Sequence, residues 1–247
     1  PPRRWNAPPE LPPEDVARLY FDAGLPPGLA DQERVQALKI AMLRAAQHAQ
    51  AGEPARAITE QRRARELAED IGLEREPIVL QIALGSYHLQ AGDGRGAEHA
   101  FERARTIALD RSFPDLGAQA QLALAAAQLL DRRPLEAAVS YAWAGHLAHQ
   151  CGQPALAIEG YRLSGQLYAG EGRAEDAAQA WQQALTIAGE AEPAERKGSS
   201  APEVASELAA LLRARGLDEQ ADSLEEQAAL LRAEAEEPPA PPAEERA

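Results

Sequence analysis

Small and large apolar residues recur along the chain with the spacing of an amphipathic helix. Ala97, Phe101, Ala104 and Ala108 stand at i, i+4, i+7 and i+11, which places them on one face of a helix with about 3.6 residues per turn. Gly92 ends an earlier apolar run, and glycine most easily adopts the left-handed conformation that closes a helix. The pattern therefore predicts two amphipathic helices joined by a short turn.

The same layout returns every 40 residues in four consecutive copies. Each copy has a small residue in its first helix, a turn residue, and a second helix with three alanine columns and one variable column. The small residues are Ala45, Gly85, Ala125 and Gly165, and the turn residues are Gly52, Gly92, Arg132 and Gly172. The alanine columns are Ala57, Ala97, Ala137, Ala177; Ala64, Ala104, Ala144, Ala184; and Ala68, Ala108, Ala148, Ala188; the variable column is Gln61, Phe101, Tyr141 and Trp181. We expect the small residues to let the paired helices approach, with the Phe101 ring filling the space beyond them.

This layout resembles the tetratricopeptide repeat (TPR), which has a small residue in the first helix, glycine near the turn, and alanine and an aromatic residue on the second helix. The matching residues are Gly85, Gly92, Ala97, Phe101 and Ala104 in one copy, and Gly165, Tyr168, Gly172, Ala177, Trp181 and Ala184 in another. The copies exceed the usual length of about 34 residues, and Ala41, Gln81 and Gln121 replace the large aromatic residue expected early in the first helix. The resemblance covers about residues 38–190. It implies an all-α fold, an α-α superhelix (TPR solenoid) of helix-turn-helix repeats in the longer variant.

The period also predicts how the chain is divided. Stepping back 40 residues from Gln61 reaches Phe21, so a lone second helix is expected before the first copy. After the fourth copy the phase slips by four residues, and Gly216 and Ala221 continue the pattern. The predicted boundaries are a Pro-rich tail at 1–13, a capping half-repeat at 14–30, four repeats at 31–190, a loop at 191–201, a degenerate repeat with an acidic cap at 202–235, and a Pro/Glu-rich tail at 236–247.

Composition and charge narrow the function classes. The hydrophobic fraction is 45%, yet only 4% of residues are aromatic and 55 are alanine, which favours closely packed helices over a β-sandwich. A formal charge of −14 argues against binding nucleic acid, because the phosphate backbone requires a basic surface. The lone Cys151 excludes an internal disulfide, and no apolar run reaches the roughly 20 residues of a membrane span.

Candidate chemistry is sparse. The sequence contains no Walker A motif, nucleophile elbow or paired-histidine zinc motif, so neither an enzyme nor a cofactor is predicted. His146, His149 and Cys151 are weak candidates for a metal site, but no fourth ligand is near in sequence, and the interpretation is that they are ordinary helix-surface and helix-end residues. His48 and His88 share one repeat column and are interpreted as packing residues instead of a general base.

The resemblance implies that function lies in a concave groove lined by the first helices. By the period, partner-binding residues are expected at Met42, Val79, Ile82, Ser86, Leu89, Gln119, Leu122, Ala126, Leu129, Arg162 and Gln166. This set is apolar in the middle, which is typical of an interaction site; the alternative is that longer helices turn some of these residues into the core. TPR domains that hold a chaperone's C-terminal carboxylate use basic side chains in this groove. Met42, Ala46, Ala83, Gln119 and Ala123 occupy those positions here, so that function is not expected.

The leading hypothesis is a non-enzymatic adaptor or scaffold that binds an apolar or amphipathic segment of a protein partner. The alternatives are a secretion-type chaperone of bacterial export systems and a regulatory or structural subunit of a multi-protein complex. A lone thiol is compatible with the cytoplasm, while a periplasmic or exported location stays open because residues before Pro1 are outside the sequence.

Overall fold

The structure is a computed structural model that describes residues 29–196 and 198–236. Within these ranges all regular secondary structure is helical, as predicted. The helices are α1 (Leu29–Gln50), α2 (Pro54–Ile71), α3 (Glu76–Gln90), α4 (Gly94–Asp110), α5 (Pro114–Leu130), α6 (Pro134–Gln150), α7 (Pro154–Gly170), α8 (Ala174–Glu190), α9 (Pro193–Arg196), α10 (Ala201–Ala214) and α11 (Asp218–Glu236). The all-α fold class is confirmed.

The chain forms two compact units, Pro1–Arg111 and Ser112–Ala247. Unit 1 contains α1–α4 and unit 2 contains α5–α11. Within each unit, consecutive helices pack on one another, including α2 on α3 and α6 on α7. The repeat pairs are α1 with α2 and α3 with α4 in unit 1, then α5 with α6, α7 with α8 and α10 with α11 in unit 2. The leading member of each pair is called the first helix, and the following member the second helix.

The turns between helices share one backbone geometry. Gly92 has a φ of 73°, and its N–H and that of Asp93 donate to the carbonyls of Leu89 and His88, which satisfies the end of α3. The predicted left-handed cap at Gly92 is therefore confirmed. Positive φ angles recur every 20 residues, at Gly52, Gly72, Gly92, Ser112, Arg132, Gly152 and Gly172. The turns within and between the predicted repeats are thus of the same kind, although the sequence pattern had indicated only the 40-residue step.

In two of the four copies, close approach of the paired helices depends on glycine opposite an aromatic ring. Phe101 is fully buried, and a Cβ atom at Gly85 would lie only 2.7 Å from its Cδ1. In unit 2, a Cβ atom at Gly165 would similarly lie 2.7 Å from Cε2 of Trp181. Carbon atoms normally pack at about 3.5–4.0 Å, so only glycine fits at these two positions. The predicted role of the small residues and of Phe101 is confirmed, and Trp181 follows the same rule.

The domain boundaries as a whole stay a prediction. Within residues 191–201, predicted as a loop, the structure has the one-turn helix α9. The tail at 1–13, nearly all of the capping half-repeat at 14–30 and nearly all of the tail at 236–247 lie outside the described residues. The capping half-repeat therefore stays a prediction.

Candidate functional site on the first helices

In unit 1, the residues predicted to bind a partner lie on α1 and α3, outside the core. Met42 is half-buried against the cluster formed by Leu38 and its neighbours. Along α3, Val79, Ile82 and Leu89 are half-buried and Ser86 is exposed, with its hydroxyl donating to the Ile82 carbonyl at 3.3 Å. Each of these apolar side chains is therefore packed partly against the protein and exposed partly to solvent.

In unit 2, the predicted residues of α5 present a similar mixture. Gln119 is exposed, Leu122 and Ala126 are half-buried, and Leu129 is 37% exposed. Leu122 packs beside a buried cluster that contains Tyr141. Two α7 residues that the prediction did not include join the same cluster, Leu163 and Leu167. None of the predicted residues is fully buried, although Met42 and Leu122 pack against core clusters. The assignment of these residues to a partner stays a prediction.

The remaining predicted residues, Arg162 and Gln166 of α7, belong to a polar network that reaches α10. Arg162 donates from Nε and Nη2 to both carboxylate oxygens of Glu159, at 2.8 and 2.6 Å. Its Nη1 lies 3.6 Å from Oε1 of Glu207, which also accepts a hydrogen bond from Gln166. Ser200 donates to Glu159 at 2.6 Å. The bidentate Arg–carboxylate geometry fixes the guanidinium direction more firmly than a single contact would.

Trp181 connects this network to the core of unit 2. Its indole Nε1–H donates to the Arg162 carbonyl at 3.2 Å, and its ring occupies the space left by Gly165. Arg162 therefore accepts a hydrogen bond from α8 at its carbonyl, while its guanidinium group lies near Glu207.

The network contains two carboxylates, Glu159 and Glu207, and one cationic side chain, Arg162. The hydrogen bond from Arg162 to Glu159 raises the pKa of the Arg162 guanidinium. Burial raises the pKa of the Glu207 carboxyl, against the opposing effects of Gln166 and Arg162, and its Oε2 atom is buried with no hydrogen-bond partner among the described residues. Glu207 is therefore the carboxylate in this network with the least complete set of partners.

The sequence analysis missed Glu207 and Ser200. The signal that could have found Glu207 is the four-residue phase slip, because a step of 44 residues from Leu163 reaches it. The slip was recognised at Gly216 in the turn and at Ala221 on the second helix, but it was not applied to the first helix. Ser200 precedes α10, and no periodic signal marks it.

The weak metal candidates do not form a metal site in the structure. No group of three His, Cys, Asp or Glu side chains able to hold a metal is found within 29–196 and 198–236. His146 stacks on Trp143, with ring centroids 5.4 Å apart, and His149 lies 3.9 Å from Glu190. The Cys151 thiol donates to the Leu147 carbonyl at 2.9 Å, and burial raises its pKa. These residues serve helix surfaces and a helix end.

The two histidines of the shared repeat column tie helix ends to the turns that follow. His48 Nδ1 is hydrogen-bonded to Oε2 of Glu53, and His88 Nδ1 to Oδ2 of Asp93, both at 2.8 Å. Asp93 also accepts from the N–H of Gly96 and caps α4. This backbone hydrogen bond and the one with His88 lower the pKa of the Asp93 carboxyl. The column therefore stabilises the turns.

Comparisons with known proteins bear on the fold. No protein-family model matches the sequence, and no curated protein matches it. BtubC (BKLC) from P. vanneervenii is 19% identical, with a TM-score of 0.61 over 93% of this chain and 90% of its own. The apo form of RapI is 13% identical, with a TM-score of 0.63 over 91% of this chain and 60% of its own. A putative kinesin light chain from Podosopora anserina with nearly identical TPR-like repeats is 15% identical, with a TM-score of 0.55 over 84% of this chain and 99% of its own.

Together with the paired helices, these matches define the class. The fold is a TPR-like solenoid of helix-turn-helix repeats, which confirms the resemblance inferred from the 40-residue columns. Across the described helices, none combines the length and the hydropathy that a membrane span needs.

Proposed function

We propose that the chain is a non-enzymatic protein-interaction scaffold that binds a segment of a partner along the exposed edges of its first helices. The observation that carries the proposal is the exposure of the predicted residues. Helix α5 buries Leu124 and Ala125 on one face, while Leu122, Ala126 and Leu129 stay accessible on another. Accessible apolar edges on a repeat fold are typical of a binding surface.

The chemistry of the surface indicates which partner segments fit. In unit 2, Leu122 and Leu129 offer apolar contact, and the network around Arg162 and Glu207 offers hydrogen-bonding groups on α7 and α10. An amphipathic segment that places apolar side chains on α5 and polar ones on α7 suits this arrangement. In unit 1, Val79 and Ile82 on α3 offer a second apolar edge.

Site-specific photocrosslinking followed by titration tests the proposal. A photoreactive amino acid at Leu129 should capture the partner in the native cell, whereas the same group at Gln179, an exposed second-helix position, should not. The captured segment, made as a peptide, is then titrated against the folded wild type and against the double variant Leu122→Glu, Ile82→Glu. We expect at least a tenfold loss of affinity, because charge would enter the apolar edges.

Unchanged affinity in a double variant with a native circular dichroism spectrum would exclude the first helices as the binding surface. The partner's identity separates the remaining alternatives of the same class. A secretion-type chaperone should yield one exported substrate, whereas a subunit of a complex should yield several stable components and associate with itself when isolated.

A further inference from the structure

A groove in unit 2 is bounded by the second helices α8 and α11 and the first helix α10. Its volume is about 730 Å³, which falls within the range of about 300–1,000 Å³ that is usual for binding pockets. Four leucines and one carboxylate on its surface matter for what it can bind: Leu185, Leu208, Leu212, Leu224 and Glu219. We call the surface formed by these five residues the α8–α11 groove.

The apolar part of the α8–α11 groove is fixed by the core of unit 2. Leu208 is buried, and Leu185, Leu212 and Leu224 are half-buried. All four belong to, or pack against, the cluster that contains Trp181 and Val204. Because the core holds one side of these leucines, their remaining surface is ordered before a partner arrives, and a partner loses little binding free energy in ordering them.

The repeat does not require large apolar side chains at two of these positions. Leu185 lies on α8 and Leu224 on α11. The other copies hold charged or small residues in the same columns, namely Arg65, Arg105 and Gly145 for Leu185, and, across the four-residue slip, Glu60, Ala100, Ser140 and Ala180 for Leu224. The two leucines therefore give the last helices an apolar surface that the packing of the other copies does without.

The surroundings of the α8–α11 groove are strongly acidic. Helices α8, α10 and α11 together contain 12 Asp and Glu residues and two Arg, which gives −10 of the chain's formal charge of −14. Arg213 is already paired with Asp222 at 2.8 Å. Glu219 is exposed and forms no ion pair among the described residues. Charge complementarity therefore favours a partner with basic side chains beside its apolar ones.

The backbone around the α8–α11 groove restricts the conformation of that partner. All three bounding elements are helices, whose backbone N–H and C=O groups bond to one another within each helix. An extended segment would find no backbone partners here, and its own N–H and C=O groups would lose water without replacement. A helix satisfies its own backbone groups and presents apolar side chains on one face, as in other helix-in-groove complexes.

We propose that the α8–α11 groove binds an amphipathic helix of a partner protein, with leucine-sized side chains on one face and Lys or Arg beside them. The apolar face packs on Leu185, Leu212 and Leu224, and the basic side chains meet Glu219 and the other carboxylates of α11. Helices α8 and α11 take no part in the surface proposed for the first helices. The proposal is therefore independent of the proposed function.

Selection from a phage-displayed library of random peptides of about 16 residues, roughly four helical turns, tests the class of partner. The full chain is the bait, and phage that bind the Leu185→Arg variant are removed before each round. Arginine occupies this column in two other copies, so the variant should keep its fold, which circular dichroism checks. We expect enriched peptides to carry leucine-sized residues at i, i+3, i+4 and i+7 and an excess of Lys and Arg. No enrichment, or enrichment of acidic peptides or of peptides without this spacing, would overturn the proposal.

Titration of the most enriched peptide, labelled with fluorescein, tests its location with two matched pairs of variants. Leu185→Arg and Gln183→Arg each add one positive charge to α8, and Glu219→Lys and Glu226→Lys make the same charge reversal on α11. Only the first member of each pair lies in the α8–α11 groove. We expect at least a roughly tenfold loss of affinity for those two members and at most about a threefold loss for the controls, because a distant charge is screened. Equal losses within either pair would show that the peptide responds only to overall acidity, and the proposal would be wrong.

Two further measurements separate this groove from other surfaces. The double variant Leu122→Glu, Ile82→Glu should bind the peptide as tightly as the wild type, whether or not the first helices bind a segment of their own. A loss of affinity in that variant would place the peptide on the first helices instead. Sedimentation equilibrium should show no self-association that Leu185→Arg abolishes, since such association would assign the groove to a second copy of the chain and refute the proposal.

Discussion

Replacing Gly165 by alanine adds one methyl group where α7 meets the ring of Trp181. The new Cβ would lie 2.7 Å from Cε2 of that ring, well inside the contact distance of about 3.5 Å. Overpacking of this kind costs about 1–3 kcal/mol. Moving the indole would also strain the hydrogen bond from Nε1 to the Arg162 carbonyl, worth about 1 kcal/mol. Alanine returns about 0.5–1 kcal/mol in a helix, so the free energy of unfolding should fall by about 1–3 kcal/mol.

Urea denaturation followed by circular dichroism and tryptophan emission measures this change. Gly189→Ala is the matched control, since this helical glycine has open space around its Cβ position and should be stabilised by up to about 1 kcal/mol. Combining Gly165→Ala with Trp181→Leu should remove most of the clash, giving a non-additive double-mutant cycle. If Gly165→Ala were as stable as Gly189→Ala, the close-approach argument for the small-residue column would be wrong.

Three further changes test other features. Arg132→Gly should stabilise the protein by about 1 kcal/mol in thermal or urea unfolding, because Arg132 adopts a φ of 58° that disfavours a residue with a Cβ; Gly172→Ala should have the opposite sign, and equal signs would contradict the reasoning. Asp93 has a lowered pKa in the folded chain, so its contribution to stability is complete above the pKa of an ordinary aspartate and is lost as the pH falls through the lower folded-state value. Asp93→Asn should therefore make the free energy of unfolding depend less on pH in this acidic range. An unchanged pH dependence there would contradict the reasoning. Cys151 should react with a thiol reagent at pH 8 more slowly than a free cysteine, because burial raises its pKa; an ordinary rate would show that the thiol is not shielded.

Much of the fold could be predicted because the sequence repeats its packing. The columns that contain Ala97, Phe101 and Ala104 are buried in all four copies, so each column records which face of a second helix packs inward. The turn at Arg132 could also be predicted, although arginine gives no turn signal, because its period partners are glycines. The turn at Ser112 has the same kind of signal, since its period partners are Gly72 and Gly152, but the sequence analysis compared turns only within copies and therefore missed it.

The polar network around Arg162 depends on a shift in the period, and the exposed face of α6 can be recognised only by comparison with the other copies. Arg162 of α7 lies near Glu207 of α10. The sequence of α10 is shifted by four residues from the 40-residue period, and this shift places an acidic side chain next to Arg162. Helix α6 is apolar on nearly every side, so its own sequence does not distinguish the buried Tyr141 from the exposed Val139. The period does distinguish them, because Val139 shares its column with the polar residues Thr59, His99 and Gln179.

The left-handed residue every 20 positions has a consequence for how the chain can change length. Because the turns at Gly92 and Gly152 share a backbone geometry, a duplication or loss of 20 residues would leave every turn intact. It would, however, place a second helix where a first helix is required in the rest of the chain. Residues of columns that do not normally pack together would then come into contact. A change of 40 residues preserves both turns and columns. Such an array can therefore gain or lose helices only in pairs, although its turns alone would permit the gain or loss of a single helix.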